Sequence, residues 1–234
     1  MKAIVLAGGR GTRLQSRVSD RPKPMAEVAG RPFLEHVMQP LARAGVESII
    51  LSTGHLGHTI REHFGSAFQG TPVLYAHEDT PLGTGGGVLW AMSHAGLQAG
   101  EACLVLNGDT FLEIDLPALL AWHRSLGDEP LAMVLRNVPD VGRFGAVRVE
   151  HGRATALIEK GNSGPGFINA GVYLLREVAF GQHRPGQAFS FEHDVLAPAC
   201  STQPPPCWVS DGFFIDIGLP EELDRAQNCF PRPA

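Results

Sequence analysis

A chain of 234 residues, 44% hydrophobic and 18% charged, is long enough for one large domain and has an ordinary globular composition. Its formal net charge of −5 argues against a nucleic-acid partner, which would want a basic face, but a small phosphorylated ligand needs only a local cluster of cations. No apolar run approaches the length of a membrane span, and Cys103, Cys200, Cys207 and Cys229 form no Cys-x-x-Cys, so a reduced, cytoplasmic protein with incidental thiols is expected.

Met1-Lys2 before AIVLA imitates the start of a signal peptide, but the apolar part is too short and runs directly into GGRGTR; KAIVLA reads as a first, buried strand. Phe33, Leu34, Val37, Met38 and Leu41 follow helical spacing towards Gly45, with Pro40 implying a kink or an early stop. SIILST is a second strand, HTIREHFG a short helix ended by glycine, PVLYAHE a third strand, residues 84–95 a helix and ACLVLNGD a fourth strand. LPALLAWHRSLG is a further amphipathic helix. Continuous apolar strands separated by helices imply a parallel sheet covered on both faces, with ligands at the strands' carboxyl ends. After residue 130, PLAMVLRNV, FGAVRVE, ATALIEKG, FINAGVYLL, PCWVS and FFIDIG predict mixed or antiparallel additions to the same sheet, with helices at FSFEHDVLAPAC and PEELDRAQNCF.

The loop after the first strand runs Gly8-Gly9-Arg10-Gly11-Thr12-Arg13. As a dinucleotide fingerprint it has Leu14 where a third glycine should stand, and the second strand closes without an acid; as a Walker loop it lacks Gly-Lys-Ser/Thr. Exposed backbone N–H groups with Arg13 and the proline-flanked Lys23 suit a triphosphate. The alternative is a tight strand-to-helix turn with solvated arginines. In NGDTFLEID, Asp109 projects from a strand end as a ligand for a hard cation such as Mg²⁺, while Asp115 is better placed to cap the next helix. In GFFIDIG a single acid, Asp216, sits among apolar residues and needs a partner, either a shared metal ion or an arginine. Gly145, Glu159, Lys160, Asn169 and Gly171 supply an acid, a cation and an amide for sugar hydroxyls and a phosphate, although each alone also reads as a turn or surface residue. PLGTGGGV is a small-residue loop that would let a flat base approach the backbone. His55, His58 and His63 match no common metal site, and no Gly-x-Ser-x-Gly elbow is present.

In chain order, AGGRGTRL with RPKPM, then LGTGGG, NGDTF, EKG, INAGVY and FFIDIG resemble the motifs of the sugar-1-phosphate nucleotidyltransferases, from Lys2 to about Arg225. The resemblance implies an α/β, Rossmann-like three-layer nucleotidyltransferase fold with a mostly parallel mixed sheet. It implies transfer of a nucleoside monophosphate from a nucleoside triphosphate to a sugar 1-phosphate, with release of pyrophosphate. Nucleotide contacts would come from Leu6, Ala7, Gly8, Gly9, Gly11, Thr12, Arg13, Lys23, Leu82, Gly83, Thr84, Gly85, Asn107 and Gly108. Arg13, Lys23 and Asp109 would be catalytic, Asp109 and Asp216 would hold Mg²⁺, and Gly145, Glu159, Lys160, Asn169 and Gly171 would face the sugar phosphate.

One domain would span the chain, its nucleotide part in about residues 1–115 and its acceptor part in about 130–225. Within the family, GRFGAV, FSFEHDVL and FFIDIGLPEE are most similar to guanylyltransferases acting on heptose 1-phosphate, which makes GTP the expected donor. Mannose-1-phosphate guanylyltransferases and uridylyl- or thymidylyltransferases are the alternatives. EKG stands where EKP is usual, and Ser19-Asp20-Arg21 replaces a threonine-containing approach to PKP. The expected partners are small molecules only, with no nucleic acid and no membrane, and the expected assembly is a monomer or homodimer. Two other classes compete: a binding subunit that keeps the pocket without turnover, and a glycosyltransferase, whose usual Asp-x-Asp is missing after the fourth strand.

Overall fold

Alternate residues of the first strand, β1 (Ala3–Leu6), enter two different cores, Ala3 and Val5 on one face and Ile4 on the other. That two-sided burial explains the unbroken apolar run, since a strand covered on both faces has no polar side to display. The computed structural model describes residues 1–9, 14 and 20–232. A small hairpin, β2 (Glu27–Val28) and β3 (Arg31–Pro32), leads into helix α1 (Phe33–Arg43). β4 (Ile49–Thr53), α2 (Gly57–Phe64), β5 (Ala67–Phe68), β6 (Thr71–His77), α3 (Gly83–His94) and β7 (Ala102–Asn107) follow. β6, β4, β1 and β7 are mutually parallel neighbours, and Phe33, Leu34 and Leu41 of α1 cover one face while Val88 and Leu89 of α3 cover the other. Each fully buried aliphatic side chain of these layers contributes about 1.5–3 kcal/mol.

The second half runs β8 (Thr110–Leu112), α4 (Leu116–Ser125), β9 (Leu131–Val138), β10 (Ala146–Glu150), β11 (Arg153–Ile158), β12 (Gly166–Arg176), α5 (Ala197–Thr202), β13 (Cys207–Ser210), β14 (Phe214–Asp216) and α6 (Pro220–Ala226). β12 pairs antiparallel with β7 and so joins the second half to the parallel strands, giving the order β11-β10-β12-β7-β1-β4-β6-β5, with β9 and then β13 branching from β12. The expected mostly parallel mixed sheet between helical layers is therefore present. No helix among the described residues is long and apolar enough to cross a membrane.

α1 ends close to the expected Gly45, and two later details depart from expectation. α1 continues through Pro40 to Arg43, because Phe33, Leu34, Val37, Met38 and Leu41 keep one buried stripe across the missing hydrogen bond. FFIDIG does not join the main sheet; β14 pairs with β8 in a separate two-stranded ribbon. The helix expected over FSFEHDVLAPAC opens with a π-helical turn, Glu192–Leu196, in which the Ala197 N–H reaches back to the Glu192 carbonyl. Pro198 follows and has no N–H to offer the turn before it, which favours the wider winding.

Candidate active site

The carboxyl ends of β1 and β7 lie side by side, Leu6 opposite Asn107, with the Gly108 N–H bonded to the Leu6 carbonyl at 2.9 Å. Two cavities open there. One, of about 310 Å³, is lined by Leu6, Gly8, Gly9, Ser52, Gly54, His55, Glu78, Asp79, Pro81, Gly83 and Thr84. The other, of about 370 Å³, is lined by residues including Asn107, Thr110, Arg143, Lys160, Asn169, Gly171, Glu192, Asp216 and Gly218. A third cavity of about 530 Å³ shares Phe144, Lys160, Asn169 and Glu192 with the second and adds Gly145, Glu159 and His193.

Asp109 follows β7 after Gly108, and Asp216 ends β14 beside it, because Asp216 registers with Thr110 and the Ile217 N–H bonds the Asp109 carbonyl at 3.0 Å. Asp115 caps α4 by accepting from the Ala118 N–H, which leaves Asp109 clear of that task. Lys23 begins a short 3₁₀ turn, Lys23–Met25, after Pro22. Its ammonium donates to Asp109 Oδ2 at 2.6 Å and lies 3.5 Å from Asp216 Oδ1. Asp216 is therefore not an isolated acid buried in an apolar strand: it stands at a strand end, about one-third exposed (33%), paired with Lys23 and with the Gly218 N–H at 2.7 Å. Two hard carboxylate donors converging on one cation are the donor set that a Mg²⁺ shared with phosphate oxygens uses. Among the described residues no group of three or more His, Cys, Asp or Glu forms a metal cluster, so substrate oxygens and water would have to complete the shell.

The residues expected on the acceptor side come together as a set. Gly145 and Glu159 line the third cavity, Gly171 the second, and Lys160 and Asn169 both. A register shift in β12 between Asn169 and Tyr173 places INAGVY at this spot; bulges of this kind re-aim side chains. Asn169 Nδ2 donates to the Tyr173 hydroxyl at 2.7 Å and Oδ1 accepts from the Gly171 N–H at 3.1 Å, so its amide is held from both ends. Burial, with the charge of Glu192, raises the Tyr173 hydroxyl above its ordinary value and keeps it neutral.

The nucleotide-side residues divide. Leu6, Gly8, Gly9, Gly83 and Thr84 line the first cavity, and Asn107 lines the second. Ala7 is buried with its N–H on the Ser52 carbonyl, and Leu82 is buried. Three glycines of PLGTGGGV are required by packing: a Cβ on Gly85 would lie 2.3 Å from the Phe189 ring, one on Gly86 2.3 Å from the Gln187 carbonyl, and one on Gly87 2.7 Å from Glu78 Oε1. Gly11, Thr12 and Arg13 lie outside the described residues.

Sequence reasoning missed Glu78. It ends PVLYAHE and returns to the pocket, accepting from Ser52 Oγ at 2.8 Å and from the Leu82 N–H at 3.0 Å. The signal available was an acid after the third strand rather than the second. Arg143 was missed as well; it bonds Glu222 and the Asp216 carbonyl, tying the acceptor loop to the ribbon that carries Asp216.

The nucleotidyl transferase family model matches residues 2–230. The chain belongs to that family. Among curated relatives of this nucleotidyl transferase, the D-glycero-alpha-D-manno-heptose 1-phosphate guanylyltransferase of Aneurinibacillus thermoaerophilus is 36% identical over 97% of each chain. The mannose-1-phosphate guanylyltransferase of Mycobacterium tuberculosis is 34% identical over 99% of this chain and 66% of its own. The solved structure of HddC from Yersinia pseudotuberculosis complexed with GMP-PN superposes with a TM-score of 0.84 at 35% identity, covering 98% of this nucleotidyl transferase and 99% of HddC.

Proposed function

We propose that the chain is a cytoplasmic sugar-1-phosphate guanylyltransferase that takes GTP and D-glycero-alpha-D-manno-heptose 1-phosphate to the GDP-sugar and pyrophosphate. One observation carries this reading: Lys23, Asp109 and Asp216 cluster at the carboxyl edge of the β1–β7 pair, where one cavity opens beside Leu6 and another beside Asn107 and Asp216. The two guanylyltransferase relatives and the HddC complex support the donor, and the heptose enzyme, matched over nearly its whole length, supports the acceptor. In this reading one domain carries both half-sites.

An acceptor phosphate oxygen attacks the α-phosphorus of the nucleotide, the α–β bridging P–O bond breaks, and pyrophosphate leaves with that bond's electron pair. The attacking oxygen is already anionic near neutral pH, since the second phosphate pKa is about 6, so no general base is needed. What the protein must do is hold two anions in line and stabilise the charge on the leaving group. Lys160 meets the acceptor phosphate, Asn169 and Glu159 orient sugar hydroxyls, and Arg13 and Lys23 take the nucleotide phosphates. Asp109 and Asp216 would hold Mg²⁺. When bound, the ion neutralises phosphate charge and aligns the two substrates.

A matrix of four nucleoside triphosphates against heptose, mannose, glucose and N-acetylated sugar 1-phosphates, scored by pyrophosphate release, tests the reading. GTP with heptose 1-phosphate is expected to be the best pair. Mannose 1-phosphate as the preferred acceptor would move the chain to the mannose branch, and release of nucleoside diphosphate would remove it from this chemistry altogether.

A further inference from the structure

Lys23 is drawn by two sets of anions. It is held by the two carboxylates of the site, and the mechanism asks it to hold phosphate. Its side chain is only 12% exposed and bonds Asp109 Oδ2 at 2.6 Å, with Asp216 Oδ1 3.5 Å away. Asp109 and Asp216 are 36% and 33% exposed and stand at the same end of the β8–β14 ribbon, where two bare carboxylates would repel each other. Lys23 relieves that repulsion from the inner side. Its hold is lopsided, tight on Asp109 and loose on Asp216, whose Oδ1 already accepts the Gly218 N–H at 2.7 Å.

Gly218 keeps the flank of the cluster open. A Cβ at this position would lie 2.9 Å from Asp216 Oδ1 and 3.2 Å from Lys23 Nζ, and Gly218 itself lines the acceptor-side cavity. No side chain at position 218 therefore crowds the ammonium or the Asp216 carboxylate on that flank.

We propose that Lys23 is a placeholder cation: it neutralises the Asp109–Asp216 pair while the site is free of metal, and a divalent cation takes its place there and releases it to the nucleotide phosphates. Metal and nucleoside triphosphate then bind with positive coupling that runs through this one side chain. By linkage the coupling is reciprocal, so nucleotide phosphates that draw Lys23 away also open the acids to metal. The inference rests on the reading that Asp109 and Asp216 hold the metal.

Binding of Mn²⁺ alone, without nucleotide, to the full chain provides the test, with free Mn²⁺ counted by its electron paramagnetic resonance signal. Lys23→Met is expected to bind Mn²⁺ about tenfold or more tightly than the wild type, within the usual range of such couplings. Lys23→Arg, which keeps the charge, is expected to resemble the wild type. In EDTA, Lys23→Met should melt below the wild type, and Mn²⁺ should raise its Tm further than it raises that of the wild type. Lys23→Gln serves in the same assays if the methionine variant does not fold. Unchanged or weaker Mn²⁺ binding in the uncharged variants overturns the proposal, as does tightening in Lys23→Arg. Adding Asp216→Asn to Lys23→Met separates the two ideas: Mn²⁺ binding that is tight in Lys23→Met and undiminished by the second change would mean that the metal sits elsewhere, and the metal reading itself would fall.

Discussion

Glu78 has both carboxylate oxygens in use, on Ser52 Oγ and the Leu82 N–H, yet each oxygen keeps a second lone pair and the side chain lines the nucleotide-side cavity. An acceptor-only group suits guanine, which presents N–H donors on its pairing edge, and suits no other common base as well. Replacing it by glutamine exchanges one acceptor for a donor at constant shape. Glu78→Gln is expected to lower kcat/KM for GTP by about tenfold to a hundredfold, the range of one lost paired contact, and to lower UTP turnover less. Equal losses with both nucleotides would reduce Glu78 to a support for the loop. Lys160 lines both the second and the third cavity. Lys160→Ala should raise the acceptor KM by about tenfold to a hundredfold, as the loss of one charge-assisted hydrogen bond does, with the GTP KM little changed. A change confined to the GTP KM would contradict the assignment.

Helix α3 serves the site by packing as well as by lining the first cavity with Gly83 and Thr84. Its glycines let the 187–191 segment lie directly on the helix: the Gly85 and Gly86 N–H groups bond the Phe189 carbonyl, and Thr84 Oγ1 accepts from the Phe191 N–H. That segment continues into the π-helical turn that puts Glu192 in the second and third cavities. An alanine in an exposed helix interior would gain about 1 kcal/mol over glycine in propensity. In Gly86→Ala the gain is reversed, because the new methyl carbon meets the Gln187 carbonyl at 2.3 Å and the Leu82 Cβ at 2.8 Å. Overpacking of this kind costs about 1–3 kcal/mol. The expected net result is a Tm lower by a few degrees in a thermal melt, together with a raised acceptor KM. An unchanged melt would show that the segment yields without cost.

At the scale of the whole molecule, the parallel half was legible because burial on both faces leaves a clear mark: short apolar runs, separated by helical periodicity and ended by glycines. Gly145, Glu159, Lys160, Asn169 and Gly171, grouped in the sequence by resemblance to the family's motifs, lie together around the second and third cavities, although Asn169 and Gly171 sit inside β12 and not at a strand end. Pairing was harder to read. Nothing local in FFIDIG says that β14 leaves the main sheet for β8, or that Asp216 would share a lysine with Asp109, because both depend on contacts between residues far apart in sequence. Burial also sets how the molecule responds to acid, through two buried histidines. His36 is 3% exposed, packed against Phe230 with ring centroids 4.2 Å apart, with Nε2 on the Val28 carbonyl; burial lowers its pKa. His123 is equally buried, its Nε2 has no partner, and burial with the charges of Arg176 and Arg124 lowers its pKa too. Both folded values lie below the unfolded value of about 6.5. Below that pH the unfolded chain takes up protons that the folded chain refuses, so the stability these groups leave intact above about 6.5 is lost as the pH falls beneath it. The slope is about 1.4 kcal/mol per pH unit for each histidine while it refuses its proton. Urea unfolding is therefore expected to give constant stability between about pH 7 and 8 and a decline below about 6.5, ahead of the carboxylate range. His123→Leu, which also removes the unpartnered nitrogen, should flatten that decline by about half; a decline of unchanged slope would mean that other groups carry it.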